Sequence, residues 1–144
     1  METLEQVLVH WSGDSVIDQT IPGKELIRIP VLHNKYLSML TRHRVAAKKS
    51  YFDYLRMKKL KWEYYTGKMT KEDISKHGWE PFQYTLKSDI SIYIDSDTDL
   101  IKLMEKKFYH EETVSVLESI LTELKSRTFQ LRDFIVYERF ITGG

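Results

Sequence analysis

The chain has 144 residues, 42% of them hydrophobic, and a net charge of +1. That size and apolar share suit one domain with a buried core, and the absence of cysteine excludes disulfide frameworks, thiolate metal sites and thiol nucleophiles. Glu2 and Glu5 stand where a signal peptide would be basic, and no apolar run approaches the ~20 residues of a membrane span, so a soluble intracellular protein with no membrane partner is expected.

In chain order, Gly13, Pro22, Gly23 and Pro30 break up residues 1–30, which read as a lead-in carrying a short amphipathic element around Leu4, Val7, Leu8 and Trp11. From Val31 to Thr66 there is neither Gly nor Pro. Stepping at 100° per residue sets Leu37, Leu40, Ala47, Tyr51, Tyr54, Leu55 and Trp62 on one side of a helix, with Lys35, Arg42, Lys49 and Arg56 repeating every seven residues on the other. Residues 31–67 therefore read as one long basic amphipathic helix that stops at Gly67. Eleven basic residues, among them Arg44, Lys48, Lys58 and Lys71, face only Asp53 and Glu63 between Lys35 and Lys71. This segment carries +9 in a chain of +1, so the remaining residues sum to −8, and the asymmetry points to a polyanionic partner.

Residues 68–97 read as a connector. Trp79, Phe82 and Tyr84 are expected to plug it onto the helices, and the alternation of Ile90, Ile92 and Ile94 with Ser91 and Tyr93 fits a short strand or an extended link. Asp97 or Thr98 then caps one long or two shorter helices through residues 98–144. Leu117, Ile120, Leu121, Leu124, Leu131, Phe134 and Ile135 trace a nearly heptad seam in them, read as an oligomerisation surface.

No catalytic constellation emerges. Asp95, Asp97 and Asp99 imitate the start of a calcium loop, but Leu100 and Lys106 replace its Gly and Glu, and helix capping explains them better. His110-Glu111-Glu112 lacks the second histidine of a zinc-protease helix, and Gly67-Lys68 is no phosphate loop. The expectation is a protein that is not an enzyme and needs no cofactor. What does carry chemistry is Met57 to Lys68, where ammonium groups alternate with rings. Lys58, Lys59, Lys61 and Lys68 suit phosphates, and Tyr64 and Tyr65 suit unpaired bases, whereas Trp62 falls on the Leu40–Tyr51–Leu55 side and is read as core. Lys35, Arg42, Lys48, Lys49 and Arg56 extend the same basic surface.

At these residues the chain resembles the UvsY family, the recombination mediators of T4-like phages. The family pattern of two basic residues around a spacer, then hydrophobic, acidic, Tyr, Tyr, small and Gly falls on Lys59-Leu60-Lys61-Trp62-Glu63-Tyr64-Tyr65-Thr66-Gly67. Val16-Ile17-Asp18-Gln19-Thr20, Leu32-His33-Asn34-Lys35-Tyr36-Leu37 and Leu124 to Arg132 are similar to three further motifs in the family's order. The likeness is weakest from Met69 to Lys107, and Lys68-Met69-Thr70 replaces glycines that follow Gly67 in the T4 member.

The resemblance implies a mainly helical protomer closed into a ring, a heptamer, through its C-terminal helices. It implies binding of single-stranded DNA, with Lys59 and Lys61 as the basic pair, and two protein partners, the single-strand-binding protein whose coat is weakened and the recombinase whose filament is loaded. The setting is recombination, repair and replication in the cytoplasm of an infected host cell. The residues by themselves leave a rival open: an all-α oligomeric scaffold whose lysines only confer solubility.

Overall fold

The computed structural model describes residues 1–82 and 86–143. It is all-helical, with no strand among the described residues: α1 is Leu4–Asp14, α2 Pro22–Tyr65, α3 Lys71–Lys76, α4 Ile90–Asp95 and α5 Thr98–Thr142, and a 3₁₀ turn at Lys87–Asp89 leads into α4. The chain divides into two compact units, one of residues 1–45 and 110–144 and one of residues 46–109, and α2 and α5 each contribute to both.

Local chemistry sets the helix ends. Thr3 and Gln6 form a reciprocal capping box at α1, each side chain accepting from the other's backbone N–H. Asp18 accepts from both the N–H and the hydroxyl of Thr20, an Asx turn that feeds the chain into Pro22. Pro22, with its preset φ and no N–H to satisfy, opens α2. The helix thus begins nine residues before the sequence pattern suggested, and Pro30 lies inside it. A proline there forgoes one ladder bond, so what holds that stretch is the burial of Glu25, Leu32 and Tyr36 around it.

In the first unit Val7, Leu32, Tyr36, Met39, Leu40, Leu117, Ile120, Leu121 and Leu124 form a core to which Trp11 adds an edge-on contact with Tyr36. The sequence seam of α5 is therefore turned inward. Leu117, Ile120, Leu121 and Leu124 are occupied within the protomer, Leu131 is buried as well, and Phe134 and Ile135 are half-buried. This corrects their reading as a free oligomerisation surface. Near its C-terminal end α5 exposes Val136, Tyr137, Phe140 and Ile141, spaced one, three and four apart on one side of the helix.

Polar groups lock the same unit. Arg127 donates to the carbonyls of Asp14 and Ser15 at 3.0 Å each, closing the C-terminus of α1, and its guanidinium lies over the Trp11 ring. The Asp14 carboxylate receives Lys35 at 2.7 Å, Arg28 at 3.0 Å and the Tyr36 hydroxyl at 2.7 Å. Burial pushes its pKa up, but these donors outweigh burial and hold it below the usual carboxylate range. His43 and His110, both buried, face each other through Nδ1 atoms 2.9 Å apart.

In the second unit Ile90, Ile94 and Leu100 are covered by Tyr54, Met57 and Tyr65. The isoleucine alternation belongs to a helix, not to a strand. Ile90 and Ile94, four apart, share the buried face of α4 while Ile92 is exposed. Trp79 and Phe82 do plug the connector, stacking around Tyr64 and Tyr65. Tyr84 lies outside the described residues. Asp97 caps α5 by accepting from Leu100 N–H at 3.0 Å, and α5 then runs unbroken as one helix.

Candidate nucleic-acid interface

Along α2 within the second unit, the residues turned inward are Ala47, Ser50, Tyr54, Met57, Lys61 and Tyr64, at alternating steps of three and four. The helix is therefore rotated from the sequence expectation. Leu37, Tyr51, Leu55 and Trp62 were placed on the core side by period alone and are about 40% exposed.

That rotation decides which cations remain available. Lys61 is 5% exposed, and its ammonium lies 3.1 Å from Asp97 and 2.9 Å from Asp99, with the Trp79 ring centroid 3.9 Å away. It is a buried, doubly paired cation rather than a surface one, contrary to its expected place in an exposed basic pair. Burial pushes the Asp97 pKa up, yet hydrogen bonds from Tyr65, the Leu100 N–H and Lys61 bring it net below the carboxylate norm. Tyr65 donates to Asp97 at 2.5 Å, and burial together with that carboxylate raises its phenol well above the ordinary value. Tyr64 is buried and donates to the Glu80 carbonyl. Tyr64 is thus enclosed, whereas Tyr65, half-buried and tied to Asp97, keeps part of its surface on the cleft beside Trp62.

Other cations of the basic segment are also committed within the protein. Lys35 is held by Asp14, Arg42 by Glu2 at 3.3 Å, Arg44 by Glu118 at 2.7 Å and Arg56 by Asp53 at 3.2 Å. The last three remain exposed, so their pairs are weak and exchangeable. Lys48, Lys49, Lys58, Lys59 and Lys68 are exposed and have no carboxylate partner among the described residues.

Lys48, Phe52, Leu55, Lys59 and Trp62 fall within about 80° of one another on the helix surface, with Tyr51 and Lys58 beside them. Cations thus alternate with exposed rings on one face. The turn after α2 adds to it. Gly67 takes φ +76°, a left-handed value costly for other residues, and Lys68 N–H then bonds back to Glu63 O at 2.9 Å in a Schellman-type closure. This folds Lys68 over Trp62, its ammonium 4.1 Å from the ring centroid. Trp62, Phe52 and Lys87 were not singled out for this surface by the sequence. The first two share Lys59's face by helix arithmetic, a signal outweighed by the stronger apolar period, whereas Lys87 joins only through the tertiary fold. Among the described residues no group of His, Asp or Glu could hold a metal ion, and no helix is long and apolar enough to cross a membrane.

This is the fold of a family of recombination and repair proteins that bind single-stranded DNA. The chain belongs to the UvsY family: the profile described as "Recombination, repair and ssDNA binding protein UvsY" matches residues 10–144. Two crystal structures of the bacteriophage T4 recombination mediator protein UvsY share the fold. Lattice type II superposes with a TM-score of 0.83 at 19% identity over 100% of both chains, and lattice type IV with 0.80 at 17% over 96% of this chain and 98% of that one. No curated protein sequence matches. Three of the four motifs on which the sequence resemblance was drawn hold the protomer together. Asp18–Thr20 forms the turn into α2, Lys35–Tyr36 clamps Asp14, and Arg127 closes α1.

Proposed function

We propose that the protein is a recombination mediator that binds single-stranded DNA, weakens the single-strand-binding-protein coat on it and favours nucleation of the recombinase filament there, in the cytoplasm of the infected host. The observation that carries this is the exposed set Lys48, Lys58, Lys59 and Lys68, without a carboxylate partner among the described residues, interleaved with Phe52 and Trp62 on one surface. Ammonium groups displace counterions from phosphates, and exposed rings accept unpaired bases, without sequence preference. Such work needs no covalent chemistry, no cofactor and no enzymatic turnover. Holding the strand in a conformation that one protein leaves and another prefers is sufficient.

Each protomer offers few contacts, so useful affinity requires several protomers on one strand, each contact staying exchangeable. Self-association into a ring, a heptamer in this reading, supplies that. The exposed Val136, Tyr137, Phe140 and Ile141 face of α5 is the surface best suited to it, since a contiguous exposed apolar face marks an interaction site. The same face supports the rival reading of a scaffold without a DNA role, and salt separates the two. Titration of a single-stranded oligonucleotide should give affinity falling linearly in log salt by about 0.7 per phosphate contact. A scaffold would show little DNA binding and little salt dependence.

A further inference from the structure

Beside Trp62 the second unit carries a cleft of about 620 Å³, within the range of sites that engulf small organic ligands. Its walls are Trp62, Tyr65, Phe82 and Ile90, and Lys68 and Lys87 stand at its edge. Among the described residues no acidic one lines it. The Trp62 indole is 42% exposed, and the group over its face is the Lys68 ammonium, a mobile head on a flexible stem. Tyr65 and Phe82 meet edge to face, ring centroids 4.9 Å apart, which stiffens the part of the lining they form. Lys58 and Lys59 lie one helical turn before Trp62 and bring two further cations to its side of the helix.

We propose that this cleft receives one unstacked base of the bound strand, with Trp62 as the stacking face and Lys68 and Lys87 on the flanking phosphates. The inference rests on the single-strand reading above and deepens it. A planar aromatic ligand carrying an anion on each side is what a ring-walled cleft rimmed by two lysines complements in shape and charge. Lys68 would exchange the indole for a phosphate as the base enters. Anchoring one base per protomer would fix the strand's register on each copy and splay its neighbours out of their stack.

The test compares a thymidine oligonucleotide with an abasic deoxyribose-phosphate oligomer of equal length, titrated into the full-length protein at low salt. Stacking of one base should favour the thymidine strand roughly five- to a hundredfold and quench tryptophan emission. Trp62→Leu should remove both the preference and the quench while leaving the salt slope unchanged, and Trp62→Phe should restore part of the preference. Equal affinity of both oligomers with a steep salt slope would overturn the base cleft and leave the single-strand reading standing. Failure of both oligomers to bind would overturn both.

Discussion

Replacing Lys61 by Ala takes away an ammonium lying 2.9 Å from Asp99 and 3.1 Å from Asp97 and leaves the Asp97 carboxylate, 3% exposed, without its counter-charge. Removing one partner of a buried pair costs about 3–5 kcal/mol, because the other charge stays desolvated. Asp97 also receives the Tyr65 hydroxyl and the capping N–H of Leu100, so the loss reaches the start of α5 and the tyrosine wall together. Against a total stability of roughly 5–15 kcal/mol this is a large fraction, equivalent to about 10 °C in melting temperature for a chain of this size. Lys59→Ala is the contrasting change. Lys59 is exposed and unpaired, so its loss should alter stability by about 0.5 kcal/mol at most while making the salt slope of DNA binding shallower by about 0.7 per engaged protomer. Thermal unfolding by circular dichroism and single-strand DNA titrations at several salt concentrations, run on both variants, separate the two effects. If Lys61→Ala melts within a degree or two of wild type and still loses DNA affinity as Lys59→Ala does, Lys61 is a surface contact and the buried-pair reasoning is wrong.

Three further outcomes are expected. Asp14 and Asp97 have depressed folded-state pKa values, so their stabilisation is present above the unfolded carboxylate value near 3.9 and is lost as pH falls through the lower folded values. Urea midpoints should hold between pH 7 and 5 and drop below about pH 4, and an unchanged midpoint at pH 3 would contradict this. Light scattering should find the wild type self-associated and Phe140→Asp dissociated with helicity retained, whereas Leu124→Ala, fully buried, should lower stability by about 2–5 kcal/mol; dissociation by Leu124→Ala without loss of stability would restore the inner seam as the interface. Incubation with ATP, magnesium and single-stranded DNA should release no phosphate and leave the strand intact, and release abolished by Lys68→Ala would reveal an enzyme.

The sequence by itself determined the helical class, the stop of α2 at Gly67, a cap at Asp97 or Thr98 and the concentration of positive charge before residue 72. Each follows from near neighbours: a 3.6-residue period, a cap three residues from its N–H, a glycine at positive φ. The same reasoning erred wherever two partners satisfy one pattern. A heptad of Leu117, Leu121 and Leu124 demands burial but does not say against what, and the core with Val7, Leu40 and Tyr36 claimed it before any second copy could. Five residues of alternating isoleucine fit a strand, yet Ile90 and Ile94 serve a single helical turn as well. Charge was the hardest to read. Lys59 and Lys61 differ by one spacer, which turns their side chains by about 200° around the helix. One meets solvent and the other a pair of aspartates 36 and 38 positions further along the chain. The rotation of α2 is set by what Tyr64, Met57 and Tyr54 pack against, and only the tertiary structure contains that information, because burial and ion pairing depend on neighbours distant in sequence.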